Sequence, residues 1–100
     1  MSRPIFTEEA ANEAAAAAHW HEAERKGRGV KFTLALEAAL DHIEHQPESF
    51  AQLELRFRRI VMRRFPDAVF FRVEGSQIVV HAVFHTSQNP HQLLGRLRDA

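Results

Sequence analysis

The chain has 100 residues, 45% of them apolar, which is enough for one hydrophobic core in a single domain spanning residues 1–100. The absence of cysteine excludes disulfides and thiolate metal sites, and no apolar run approaches the roughly 20 residues of a membrane span. Net charge is zero, but residues 1–50 carry 5 basic and 9 acidic side chains, whereas residues 51–100 carry 8 basic and 4 acidic ones. This asymmetry predicts an anionic partner for the second half.

The first half predicts a short strand followed by two helices. Residues 3–6 favour a strand, and Thr7 is a good N-cap for a helix that continues to about Arg25. A short loop, Gly27-Arg28-Gly29, leads to a second helix over residues 30–45, in which apolar side chains recur at helical spacing. Two helices with so short a connection predict an antiparallel helical hairpin. The N-terminus lacks the apolar core of a secretory signal, so we expect a cytoplasmic protein.

The second half predicts three strands and a final helix. A basic strand over residues 57–65 is followed by a Pro66-Asp67 turn and a strand over residues 69–73. Gly75 marks a hairpin turn, and residues 78–84 are apolar on both faces except for His81, which predicts a central strand.

The last predicted helix begins at a cap formed by Asn89 with Pro90 in the first turn. The element order is therefore β-α-α-β-β-β-α. It predicts an α+β domain in which a small, mostly antiparallel sheet packs on the helical hairpin.

Four stretches of the chain form a set that carries a family resemblance. They are Trp20-His21-x-Ala23-Glu24 with Gly27-x-Gly29-x-x-Phe32; Ala39-Leu40-x-x-Ile43 with Pro47; Arg58-Arg59-x-x-x-Arg63-Arg64-Phe65-Pro66 with Val69-Phe70-Phe71-Arg72-Val73-Glu74-Gly75; and Ile78-Val79-Val80-x-Ala82-Val83-Phe84-His85 with Asn89-Pro90. In this order and spacing the set resembles the RelE/ParE superfamily, the toxins of bacterial type II toxin–antitoxin modules. The resemblance also implies a role in plasmid stabilization. The resemblance covers nearly the whole chain.

The resemblance implies one of two activities, both silenced by a cognate antitoxin that wraps the toxin. ParE-like members poison DNA gyrase, whereas RelE-like members cut messenger RNA on the ribosome. The Arg-Phe-Pro-Asp turn and the Phe-Phe-Arg-Val-Glu-Gly hairpin look closer to ParE-like members. We therefore expect a gyrase inhibitor without cofactor, metal or membrane contact, held in a hetero-oligomer with its antitoxin.

The alternative, a metal-independent endoribonuclease, lacks groups that RelE-like relatives use. They usually place an arginine just before the strand at residues 69–73, where this chain has Ala68 preceded by Asp67. Many of them also carry a tyrosine or a further arginine after the last strand, and this chain has no tyrosine. The catalytic candidates that remain are His85 as acid or base and Arg63 and Arg64 as phosphate-binding cations. A third possibility is a diverged member that retains only the surface for its antitoxin.

Five arginines of the second half are the predicted binding residues for an antitoxin or target. They are Arg58, Arg59, Arg63, Arg64 and Arg72. A sheet with this many arginines predicts an acidic or amphipathic segment as its ligand, bound as an added strand or as a helix in a groove.

Overall fold

The computed structural model describes residues 2–99 and, for Pro90, the backbone only. Its elements are β1 (Ile5–Phe6), α1 (Glu8–Glu24), α2 (Arg28–His45), β2 (Arg58–Val61), β3 (Asp67–Glu74), β4 (Gln77–His85) and α3 (Pro90–Arg98), with short 3₁₀ turns at Pro47–Ser49 and Glu54–Arg56. The order is β-α-α-β-β-β-α, and the fold is α+β, as the sequence predicts.

The four strands form one sheet in the order β1-β4-β3-β2. β1 lies parallel to β4, while β4, β3 and β2 are antiparallel to their neighbours. The predicted hairpin turn is present, because Glu74 pairs with Gln77 and Gly75 has a φ of 64°, a conformation that glycine adopts without steric cost. β4 therefore lies inside the sheet, as predicted, and β2 forms one of its edges.

The helical hairpin covers one face of the sheet and α3 covers the other. The larger core cluster joins Phe32 and Ile43 of α2 to Val69, Phe71 and other residues of the sheet. A smaller cluster places Leu93 and Leu97 of α3 against side chains from the opposite face, including Phe70 and Ala82. The sequence predicts the hairpin layer, but it does not indicate that the last helix packs on the other side.

Three boundaries differ from the sequence predictions. The basic strand ends at Val61 instead of continuing to residue 65, because the Met62 N–H donates to the Asp67 carbonyl and closes a turn. Asp67 is the first residue of β3 and closes the preceding turn, instead of forming its tip with Pro66. The second helix begins at Arg28, with Gly27 as its N-cap at a φ of 87°.

Candidate functional site

The site is a groove between α2 and the open edge of β2, which we call the basic groove. It has a volume of about 1010 Å³. One wall comes from α2, including Arg28, Lys31 and Ala38, and the other from β2 and the residues after it, including Val61. The groove therefore lies between the helical hairpin and β2, the edge strand of the sheet.

Positive charge surrounds the basic groove. Its cationic residues are Arg25, Arg28, Lys31, Arg63 and Arg64, and none of the residues lining it carries a carboxylate. Within residues 2–99, neither Arg63 nor Arg64 forms an ion pair. Because like charges converge there without a neutralising acid, the groove presents a positive potential to an incoming ligand.

The groove also presents apolar surface. Leu34 and Val61 are 64% and 51% exposed, and Ala35, Ala38 and Ile60 also line the groove. Large apolar side chains that remain exposed next to one another frequently mark a binding surface. A ligand that fits this groove therefore combines acidic groups with apolar side chains.

The outer edge of β2 borders the groove. β2 pairs with β3 through residues 58–61, and on its other side Gln52 forms an isolated bridge with Arg58. The rest of that edge has no strand partner among the described residues. Unpaired backbone groups on an edge strand accept an additional strand, so the groove offers main-chain as well as side-chain recognition.

The wall formed by α2 depends on a close approach between the two helices. A Cβ atom at Gly29 would lie 2.9 Å from the carbonyl oxygen of Ala18 on α1. Near this contact, the Glu22 carboxylate accepts hydrogen bonds from the N–H groups of Gly27 and Gly29, at 3.0–3.1 Å. These hydrogen bonds lower the pKa of Glu22 below its ordinary value. Glu22 therefore caps the start of α2 across the hairpin, where a negative charge also suits the helix dipole.

The other wall ends in a tight turn over residues 62–67, which we call the arginine turn. It is closed by the 2.8 Å hydrogen bond from the Met62 N–H to the Asp67 carbonyl. Arg63 and Arg64 are exposed at its tip, and Arg64 has a φ of 68°, which is uncommon for a residue with a side chain. The turn therefore directs both arginines towards the groove.

A buried polar pair lies beneath this turn. His21 Nε2 is 2.9 Å from Asp67 Oδ1, and the two side chains are only 1% and 4% exposed. A carboxylate oxygen accepts, so Nε2 donates in this pair, while Nδ1 of His21 is buried without a hydrogen-bond partner. The His21 ring stacks on Phe32 at 5.0 Å and contacts Phe65 edge-on at 4.9 Å. The sequence does not reveal the pair, because its members are separated by 46 residues.

His85, the acid–base candidate, lies at the end of β4. Its Nδ1 accepts a 3.0 Å hydrogen bond from the N–H of Ser87, whose hydroxyl lies 2.7 Å away. Its ring lies 6.1 Å from that of Trp20. Arg63 and Arg64 line the basic groove, but His85 is not among the groove's lining residues. His85 pairs with Asp67 across β3 and β4, so it lies beside the arginine turn but outside the groove.

The five predicted binding arginines are divided between two faces of the sheet. Arg58 is half-buried and donates to the Phe50 carbonyl, close to the groove. Arg59 pairs with Phe70 of the α3-side cluster, and Arg72 stacks over Phe57 of that same cluster at 4.6 Å. Of the predicted set, only Arg63 and Arg64 line the groove, where the C-cap of α1 and the first turns of α2 contribute the remaining cations.

Two further observations describe the part of the chain covered by residues 2–99. No three His, Asp or Glu side chains converge there in a cluster able to hold a metal ion. No helix in this region has both the length and the apolar character needed to cross a membrane.

Comparison with known proteins identifies the family. The model of the family described as the ParE toxin of the type II toxin–antitoxin system parDE matches residues 5–90. The chain belongs to the ParE toxin family. The match includes both helices of the hairpin and all four strands, and therefore every element that lines the basic groove.

A solved structure shows the same fold. A chain of a structure described as the chromosomal ParDE TA system from P. aeruginosa superimposes with a TM-score of 0.61 at 17% sequence identity. The alignment covers 84% of this chain and 98% of that chain. No curated protein matches the sequence.

Proposed function

We propose that this ParE family member binds and poisons DNA gyrase and that a cognate antitoxin neutralises it through the basic groove. Membership of a toxin family within a toxin–antitoxin system supports the first part of the proposal. The observation that carries the second part is the concentration of five cations around an apolar groove beside an open strand edge.

The chemistry of the groove defines the segment that would occupy it. Arg25, Arg28, Lys31, Arg63 and Arg64 require carboxylates on the ligand, and the exposed Leu34 and Val61 require apolar side chains. An acidic amphipathic segment meets both requirements, either as a helix lying in the groove or as a strand added to β2. The superimposable chain belongs to a structure described as a ParDE system, which supports an antitoxin as the occupant.

Charge reversal tests the antitoxin part of the proposal. The antitoxin to use is the product of an adjacent gene that encodes a short protein with a DNA-binding N-terminal part. Arg63→Glu/Arg64→Glu should weaken its binding by about 100-fold, since each lost charge-assisted contact costs about tenfold or more. The readout is the Kd at fixed salt concentration.

A matched control changes the net charge by the same amount away from the groove. Arg56→Glu/Arg98→Glu reverses two exposed arginines that neither line the groove nor lie on β2. This double variant should bind within about threefold of the wild-type protein, since the main effect of remote surface charges is on association rate. Equal weakening by both double variants would contradict the assignment of the groove.

A supercoiling assay with purified gyrase tests the target. The wild-type protein should inhibit supercoiling, and preincubation with the antitoxin should restore it. Unchanged gyrase activity at a large excess of toxin would contradict a gyrase poison. Expression without the antitoxin should arrest growth, and DNA replication should stop before translation does.

Messenger RNA cleavage, the alternative activity, needs a separate experiment. Position 68 is an alanine that is 2% exposed and packed within the α3-side cluster, so it presents no cation to a phosphate. Asp67 contacts His21 in the interior. Both observations support a binding function. Transcript cleavage in a translation extract that disappears in His85→Ala would favour the nuclease instead.

A further inference from the structure

The arginine turn has buried anchors and an exposed tip. Met62, Phe65 and Asp67 are buried, whereas Arg63 and Arg64 are exposed. The Met62 N–H bonds to the Asp67 carbonyl, and the N–H of Thr86 bonds to the Pro66 carbonyl at 2.7 Å. The position of the two arginines therefore depends on how firmly the three anchors are held.

Two of the three anchors contact one residue of α1. His21 donates to the Asp67 carboxylate through Nε2, and its ring contacts the Phe65 ring edge-on. Arg28 of α2 places its guanidinium 4.5 Å from the centre of the Phe65 ring, on the side towards the groove. The helical hairpin thus contacts the turn through a hydrogen bond and through aromatic packing.

Stability alone does not account for the His21–Asp67 pair. Replacing a buried polar or ionic pair with apolar residues of similar volume is often neutral or stabilising, and Nδ1 of His21 remains buried without a partner. A hydrogen bond is directional, however, and fixes its partners more narrowly than apolar contact does. The left-handed backbone of Arg64 also needs surroundings that hold it in place.

We propose that the His21–Asp67 pair is a positioning device that holds the arginine turn, and with it Arg63 and Arg64, in place beside the basic groove. Its benefit for a ligand rests on the function proposed above. Arginines that are already positioned lose less conformational freedom on binding than arginines on a mobile turn. His21 and Asp67 are positioning residues that touch no ligand themselves.

Amide hydrogen exchange of the isolated wild-type chain gives the first test. The Met62 amide closes the turn, so it reports local opening, and the Leu40 amide in the middle of α2 reports opening of the core. We expect both amides to be strongly protected. Exchange at Met62 at the rate of an unprotected amide would overturn the proposal without any variant.

Two variants separate positioning from stability. His21→Leu/Asp67→Val replaces the pair with apolar residues of similar volume, whereas Asp67→Asn keeps an oxygen that accepts from Nε2. In the double variant, exchange at Met62 relative to Leu40 should accelerate about tenfold or more, as expected for loss of one strong hydrogen bond. In Asp67→Asn the ratio should stay within about threefold of the wild-type value.

Because both amides are measured in the same molecule, a global change in stability affects both exchange rates and cancels in their ratio. A folded double variant with a wild-type ratio of Met62 to Leu40 exchange would overturn the proposal, because the pair would then be only part of the core. These measurements need no antitoxin and no gyrase. Their failure is therefore distinguishable from failure of the proposed function.

Discussion

Arginines near α3 and arginines in the basic groove are used in opposite ways. On the α3 side, Arg96 binds the Glu13 carboxylate and the His81 carbonyl, and Arg72 donates to Glu74 at 3.1 Å. Beside α2, Arg63 and Arg64 form no ion pair with any residue of the described chain. Arginines that already have acidic partners hold the fold together, whereas arginines without them are available to a ligand. Residue type does not distinguish the two uses; the neighbours do.

The largest expected difference between the faces concerns their cores. Phe32 of α2 is fully buried in the larger cluster, and Phe32→Ala should lower the free energy of unfolding by about 3–5 kcal/mol. Leu97→Ala in the smaller cluster under α3 should cost about 2 kcal/mol, near the lower limit for such truncations. Chemical denaturation measures both values. Equal losses would show that the two faces contribute equally to the core.

Two glycines, one beside each face, give opposite expectations. Gly29→Ala should destabilise the fold by about 1–2 kcal/mol, because the added methyl group meets the Ala18 carbonyl at 2.9 Å and outweighs the better helix propensity. Gly95→Ala on α3 has open space around it and should stabilise by about 0.5–1 kcal/mol. Thermal or denaturant unfolding provides the comparison. A stabilising Gly29→Ala would mean that the two helices leave room for a methyl group at this position.

The paired and unpaired arginines should differ in their effect on stability. Arg96→Gln should cost about 1–2 kcal/mol, because the partly buried guanidinium contacts Glu13 through two hydrogen bonds and reaches the His81 carbonyl. Arg64→Gln should change stability by less than about 0.5 kcal/mol, as for most exposed positions. If Arg64→Gln costs as much as Arg96→Gln, Arg64 has an unrecognised role in stabilising the fold.

The smallest expected effect is a pH dependence at the start of α2. Hydrogen bonds from Gly27 and Gly29 lower the pKa of Glu22 in the folded state below its ordinary value of 4.5. Its contribution is therefore complete above the unfolded pKa and is lost as pH falls through the lower folded pKa. The stability difference between wild type and Glu22→Gln should be present at neutral pH and shrink below about pH 4.5. Unfolding curves across this range measure it, and a pH-independent difference would exclude the carboxylate cap.

Local sequence patterns are sufficient to predict most of the fold. The apolar spacing of α2, the turn at Gly75 and the cap at Asn89 each depend on neighbouring residues, and the structure contains all three. The end of β2 could not be read in this way. The apolar character of Met62 and Phe65 extends the strand pattern, but the hydrogen bond between Met62 and Asp67 closes a turn inside it.

The candidate site was only partly predictable, because it forms from residues far apart in sequence. The sequence draws attention to Arg63 and Arg64, but their partners in the groove, Arg25, Arg28 and Lys31, come from the otherwise acidic first half. The sequence contains one indirect sign of the buried pair. Asp67 directly precedes a run of apolar strand residues, and a carboxyl group buried there requires a polar partner. The sequence alone does not identify His21 as that partner.

The shortness and charge of β2 have a consequence for the protein when no partner is bound. An open strand edge is also a template on which identical chains can pair and aggregate. β2 has only four residues, two of which are Arg58 and Arg59, and Arg63 and Arg64 follow after Met62. Repulsion between these charges opposes edge-to-edge pairing of two copies. The arginines at this edge thus have two effects, because the charge that attracts an acidic segment also disfavours pairing between two copies of the chain.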